Sequence, residues 1–130
     1  MMAARILIAD DDSAIVTSLE FLLQKAGFET QVARDGVDAF RTACAFRPHL
    51  IVLDMMLPRM NGLEVCRALR AEPQQSRLKV LMLTARGATT DRERGLAAGV
   101  DAYQVKPFST HDLLAQVSRL LATGDPLRAD

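Results

Sequence analysis

The chain has 130 residues, 49% hydrophobic and 25% charged, with sixteen basic side chains balancing sixteen acidic ones. That length favours one domain burying its own core, and the zero balance excludes a bulk electrostatic footprint for nucleic acid or an anionic membrane. No apolar run is long enough to span a bilayer, and Met1-Met2-Ala3-Ala4-Arg5 leads into a strand without a signal-peptide core, so a cytoplasmic protein without a membrane partner is expected.

In chain order, short apolar runs alternate with longer segments of helical period, the mark of βα repetition around a parallel sheet. A first strand at about Arg5–Ala9 leads into a helix opened by Asp12 or Ser13, with Ile15, Leu19, Leu22, Leu23 and Ala26 as its stripe and Gly27 as its left-handed stop. Glu29–Ala33 reads as the second strand. Asp35-Gly36 then turns into a helix carrying Val37, Phe40 and Cys44 and stopped by Pro48. The third strand is Leu50–Leu53, followed by a Met55–Asn61 loop containing Pro58. A helix from Gly62 to about Ala71 turns Leu63, Cys66 and Leu69 inward. Glu72–Arg77 is a polar connector, and Leu78–Leu83 the fourth strand. Thr90-Asp91-Arg92-Glu93 has capping-box spacing and opens a short fourth helix closed by Gly99. Ala102–Val105 is the fifth strand. Ser109-Thr110-His111-Asp112 begins the last helix, with Leu113, Leu114, Val117, Leu120 and Leu121 on its buried side. Residues 1–123 form the expected domain, and Gly124–Asp130 a tail or linker stub.

Four of the strands end in residues able to bind metal, carry phosphate or neutralise charge. Ile6-Leu7-Ile8-Ala9 runs into Asp10-Asp11, Leu50–Leu53 into Asp54, Val80–Leu83 into Thr84, and Tyr103-Gln104-Val105 into Lys106-Pro107. In a parallel sheet these ends share one edge, where ligands bind in open α/β folds. Adjacent carboxylates repel unless something cationic lies between them. Magnesium, which takes a few carboxylates plus waters and phosphate oxygens, suits Asp10, Asp11 and Asp54. Taken singly, Thr84 could simply end a strand and Lys106 could be a solvated lysine. A proline after that lysine, with a trans or cis peptide, makes a rigid turn that would aim the ammonium across the edge. Cys44 and Cys66 lack CxxC spacing and read as core packing; His49 and His111 are isolated and make no zinc site.

These segments resemble the receiver domain of two-component response regulators along almost the whole chain. Ile6–Asp12 is similar to the family's opening acidic motif, and Ala33-Arg34-Asp35-Gly36-Val37-Asp38-Ala39 to its second-strand-to-helix turn. Leu53-Asp54-Met55-Met56-Leu57-Pro58-Arg59-Met60-Asn61-Gly62 matches the phosphoacceptor segment. Leu83-Thr84-Ala85 and Gly99–Phe108 match the remaining two. The resemblance implies a flavodoxin-like, doubly wound, five-stranded parallel sheet of order 2-1-3-4-5 with five helices. Asp54 would be phosphorylated. Asp11 and Asp54 would ligate Mg2+ directly, Asp10 mostly through water, and the Met56 backbone carbonyl would complete the set. Thr84 and Lys106 would contact phosphoryl oxygens, and Tyr103 would be the switch aromatic. The phosphoryl group would come from a histidine kinase or a histidine phosphotransfer protein.

Two positions depart from the pattern of receivers that dimerise through their fourth helix, fifth strand and last helix. Ala102 stands where those carry a second acid, and Gln116 where they carry an arginine. A monomer or weak dimer is therefore expected, with no DNA binding by this chain alone. The altered face would be read by a downstream protein or by an output domain. The resemblance also implies that Met56 and Arg86 stand at the positions that flank the path of attacking water in receivers, and neither would offer a carboxylate or amide to orient it. Two rivals remain. A haloacid-dehalogenase-like phosphohydrolase needs a general acid two residues after the nucleophile, where Met56 stands. A binding module that has lost phosphorylation gains no support, since all five site residues are present. The protein is expected to catalyse only its own phosphorylation and dephosphorylation.

Overall fold

In the computed structural model, residues 3–85 and 98–123 are described. Five strands, β1 (Arg5–Ala9), β2 (Glu29–Ala33), β3 (Leu50–Asp54), β4 (Lys79–Ala85) and β5 (Ala102–Lys106), form one sheet of order β2-β1-β3-β4-β5. Every pairing is parallel. Helices α1 (Ser13–Lys25) and α4 (Thr110–Thr123) cover one face; α2 (Gly36–Phe46) and α3 (Gly62–Arg70) cover the other. Four helices thus lie among the described residues. The fourth predicted helix, at Thr90–Gly99, lies outside them except for Ala98 and Gly99, and so does the Gly124–Asp130 tail.

Because both faces are covered, the central strands are apolar on both sides rather than alternating. Ile6, Ile8, Leu50, Val52, Leu81 and Leu83 pack with α1 and α4, while Leu7, Ile51, Leu53, Val80 and Met82 pack with α2 and α3. All eleven are fully buried. Each such side chain contributes roughly 1.5–3 kcal/mol by leaving water.

The helix ends follow their side-chain chemistry. Asp12 is the N-cap of α1, its carboxylate accepting from the amides of Ala14 (2.9 Å) and Ile15 (3.3 Å), which decides between Asp12 and Ser13. Gly27 takes φ 98°, the left-handed stop expected of it. Asn61 and Glu64 form a reciprocal capping box at the start of α3.

Three packing expectations are corrected. On α1 the inward set is Val16, Leu19 and Leu23; Ile15 and Leu22 are half-buried, and Ala26 is exposed. The apolar stripe was broad, and its axis lies one residue further along than the sequence suggested. On α2 the deepest residues are Gly36, Ala39 and Ala43, while Val37, Phe40 and Cys44 are half-buried. This helix sits close against its neighbours, so its smallest side chains point inward and the larger ones flank the contact. The Glu72–Arg77 connector contains a short 3-10 turn, Pro73–Gln75. Gln75 there is 2% exposed and donates from Nε2 to the Ala43 carbonyl at 3.0 Å. β3, β4 and β5 also run one or two residues past their expected ends, to Asp54, Ala85 and Lys106.

Candidate functional site

The carboxyl ends of β1, β3, β4 and β5 meet at one edge of the sheet, and the sequence pattern decides what each delivers. β1 stops after Ala9 because Asp10 and Asp12 divert the chain. The Asp10 amide still bonds the Ala33 carbonyl at 3.1 Å, while Asp10 Oδ1 accepts from the Asp12 amide at 2.9 Å. Asp10 is fully buried, its neighbour Asp11 exposed. Asp54 ends β3 opposite Leu83 and is 5% exposed. Thr84 lies in β4 opposite Val105, also buried. Lys106 ends β5 opposite Ala85, and its peptide with Pro107 is cis.

Lys106 links the two buried acids. Its Nζ lies 3.1 Å from Asp10 Oδ2 and 3.3 Å from Asp54 Oδ1. Asp54 Oδ1 also accepts from the Met56 amide at 3.2 Å. Among the described residues, the ion pair from Lys106 and the hydrogen bond from Met56 both fall on Oδ1 of Asp54. One carboxylate oxygen from each of Asp10, Asp11 and Asp54 lies within 4.8 Å of the other two.

Burial, then repulsion from Asp10, raises the Asp54 pKa above the ordinary carboxylate value; the Met56 amide and Lys106 pull it back only in part. For Lys106, burial works against the charged form, but Asp54 and Asp10 together outweigh it and raise its pKa. The ammonium is therefore held charged against two acids, with a third at the rim. Among the described residues, one cation against three carboxylates leaves an acidic site.

The structure thus brings together Asp10, Asp11, Asp54 and Lys106. Met56 follows Asp54 with its own side chain 74% exposed. Tyr103, half-buried, packs on the α2–α3 side of the core, and its carbonyl accepts from Gln116 Nε2 at 2.7 Å. Phe108 is half-buried against the α1–α4 side. Arg86 lies outside the described residues. Sequence reasoning missed the fastening of the loop after Asp54. The Gly36 amide donates to the Pro58 carbonyl at 3.0 Å, and the Gly62 amide to the Met55 carbonyl at 2.9 Å. It also missed Arg70, which donates to the carbonyls of Gly99 (2.9 Å) and Leu78 (2.6 Å) and pairs with Asp101 at 2.7 Å. Only the Asp-Gly at the head of α2 hinted at the first; nothing in spacing marks the second.

A doubly wound parallel sheet with acids, a threonine and a lysine at its carboxyl edge defines a flavodoxin-like α/β domain with an acidic edge site. The family model of the response regulator receiver domain matches residues 6–118, and the chain belongs to that family. It is 42% identical over 125 residues to the phosphate regulon transcriptional regulatory protein PhoB of Rhizobium meliloti, covering 96% of this chain and 55% of that protein. It is 44% identical to the response regulator MprA of Mycobacterium bovis, covering 96% of this chain and 54% of that protein. The chain therefore spans about half the length of these relatives. Among solved structures, the chemotaxis protein CheY4 of Vibrio cholerae superposes with a TM-score of 0.87 at 33% identity, covering 92% of this chain and 99% of that one. The receiver domain of sensor histidine kinase PA1611 of Pseudomonas aeruginosa, with magnesium coordinated in its active site cleft, gives 0.85 at 30% identity, covering 93% and 99%. Receiver domains are signalling switches of two-component systems rather than conventional enzymes, and this chain is one of them. Among the described residues no helix is long and apolar enough to cross a membrane.

Proposed function

We propose that this domain accepts a phosphoryl group onto Asp54 from a histidine kinase or histidine phosphotransfer protein, with Mg2+ bound beside it. The observation that carries the reading is the single ammonium of Lys106 bridging Asp10 and Asp54 while Asp11 stands at the rim. The donor set fits the ion: three hard carboxylate oxygens lie within reach of one another, and the exposed rim leaves room for waters. Asp11 and Asp54 would hold Mg2+ directly, Asp10 through water, and the Met56 carbonyl would add a neutral oxygen. Bound there, the ion would supply positive charge for the phosphoryl oxygens.

Asp54 Oδ2 attacks phosphorus in line, the bond from phosphorus to the histidine nitrogen breaks, and that nitrogen leaves with the electron pair. Lys106, already charged and next to Oδ1, neutralises the phosphoryl oxygens; Thr84 donates its hydroxyl to one of them. The work is positioning and charge compensation, as phosphoryl transfer requires. The product adds about two negative charges at the sheet edge. Thr84 is drawn toward that charge, Tyr103 turns into the space behind it, and the face made by the fourth predicted helix, β5 and α4 changes. A downstream protein or an output domain reads that face, as the regulatory names of PhoB and MprA suggest. The receiver unit is residues 1–123, a monomer or weak dimer that does not bind DNA by itself.

A phosphohydrolase reading lacks its general acid, because the exposed thioether of Met56 cannot protonate a leaving group. The test is intact-mass spectrometry after incubation with acetyl phosphate and Mg2+. One added phosphoryl mass in the wild type, absent in Asp54→Asn, is expected. Full labelling of Asp54→Asn would move the acceptor elsewhere.

A further inference from the structure

We infer that Gly36, at the head of α2, is a positioning residue for the Asp54 site, acting through the loop that follows β3; the inference rests on the phosphoacceptor reading above. Residues 55–61 leave Asp54 and return to α3, and they are fastened at three points. At the near end, Met56 donates to Asp54 Oδ1 at 3.2 Å. At the far end, Gly62 donates to the Met55 carbonyl, and a Cβ on Gly62 would lie 2.6 Å from the Asp54 carbonyl. At the apex, the Pro58 carbonyl accepts two amides, from Met60 at 2.8 Å and from Gly36 at 3.0 Å.

The apex is strained. Arg59 between Pro58 and Met60 has φ 71°, and the bond from the Met60 amide back to Pro58 closes the rare γ-turn. A non-glycine residue holds such a conformation only when its surroundings enforce it. The enforcing group is the first amide of α2, which has no partner within its own helix and is free to serve the loop. The Asp35–Arg59 pair adds little, at 3.8 Å with Arg59 68% exposed.

Gly36 is needed here for space. A Cβ at this position would lie 1.7 Å from the Met60 carbonyl oxygen and 2.5 Å from Met60 Cβ. Since real Cβ contacts stay beyond 3.0 Å, the loop apex or the helix start must retreat by more than an ångström. The helix start is anchored by Asp35, which accepts from Asp38 N at 2.8 Å, and by buried Ala39. The loop therefore moves, and Met56 beside Asp54 moves with it.

The experiment compares wild type with Gly36→Ala, using Mg2+ affinity in the unphosphorylated protein and the rate of labelling by acetyl phosphate. Gly36→Ala is expected to keep its far-ultraviolet circular dichroism, weaken Mg2+ binding about tenfold and slow labelling roughly tenfold to a hundredfold. Ala43→Gly, in the same helix but away from the loop, should lower stability and leave Mg2+ affinity unchanged. If Gly36→Ala matches wild type in affinity and rate, or if Ala43→Gly weakens Mg2+ equally, the inference is overturned. Failure of wild type itself to bind Mg2+ or take phosphate would instead sink the phosphoacceptor reading. Should Gly36→Ala not fold, hydrogen exchange on wild type decides. Mg2+ must slow exchange at the Gly36 and Met60 amides together; unchanged exchange at both overturns the inference.

Discussion

Replacing Lys106 by methionine keeps the stem of the side chain and removes the ammonium that joins two buried acids. Asp10 and Asp54 have side chains 0% and 7% exposed, with contacts of 3.1 and 3.3 Å to Nζ. Stripping one partner from an enclosed ion pair costs about 3–5 kcal/mol, because the other charge is left stranded. The lysine side chain keeps 26% exposure, so water reaches the bridge and the loss should fall to about 2–3 kcal/mol. For a domain of this size that is roughly a 10 °C drop in Tm. The assay is thermal and urea denaturation at neutral pH in chelator, repeated in millimolar Mg2+ and in an Asp54→Asn background. Millimolar Mg2+ should recover part of the loss by supplying a cation to the same acids. In Asp54→Asn the penalty should shrink by about 1 kcal/mol or more, the non-additivity of groups in contact. A loss below about 0.5 kcal/mol, or one unchanged by Mg2+ and additive with Asp54→Asn, would refute the reasoning.

Four further outcomes are expected. Burial and Asp10 raise the Asp54 pKa, so its charge destabilises the metal-free fold above that pKa. Asp54→Asn should therefore raise Tm in chelator at neutral pH, with the gain fading as pH falls through the folded pKa and gone below the unfolded one; a pH-independent gain would contradict this. Mg2+ at a hundredfold excess over its Kd should stabilise wild type by about 2.7 kcal/mol. Asp11→Ala should largely abolish that response, and an unchanged melting shift would remove Asp11 from the ligand set. The Met56→Asn phosphoform should decay faster than wild type, since an amide can orient water where the thioether shields; equal or slower decay by phosphate release would count against shielding. Phosphorylation should leave the chain a monomer or weak dimer without DNA retention, because Ala102 lacks the dimer acid and the Gln116 amide is committed to the Tyr103 carbonyl. Sedimentation showing a tight symmetric dimer would overturn that expectation.

Four of the strands were legible because each is a short apolar run that leads into Asp, Thr or Lys, and a sheet covered on both faces favours that pattern at its centre; β2, at the edge, is the more polar Glu29–Ala33. The helix registers were less so. Ile15 and Val16 are both strongly apolar, and only packing into the α1–α4 side of the core decides that Val16 goes deeper than Ile15. On α2 the sequence favoured Phe40 over Ala39, but close approach to neighbouring backbone selects the small residue. Gln75 looked like solvent-facing linker and is buried, because a carbonyl one helix away satisfies its amide. At the site, residue types at strand ends announced the acids and the lysine. The unequal burial of Asp10 and Asp11 came from the chain turning between them. The hold of Gly36 on the loop after Asp54 is a contact between backbones distant in sequence, and no local pattern encodes it.

The central claim is that Asp54 itself carries the phosphoryl group. An acyl phosphate is a mixed anhydride, and borohydride reduces its activated carbonyl to an alcohol, turning the modified aspartate into homoserine. The protein labelled by acetyl phosphate with Mg2+ would be reduced, digested and mapped by mass spectrometry. The account predicts homoserine at position 54 alone, and none when Mg2+ is withheld by chelator. Homoserine at position 10 or 11, or a phosphoryl mass that survives borohydride unchanged, would contradict it.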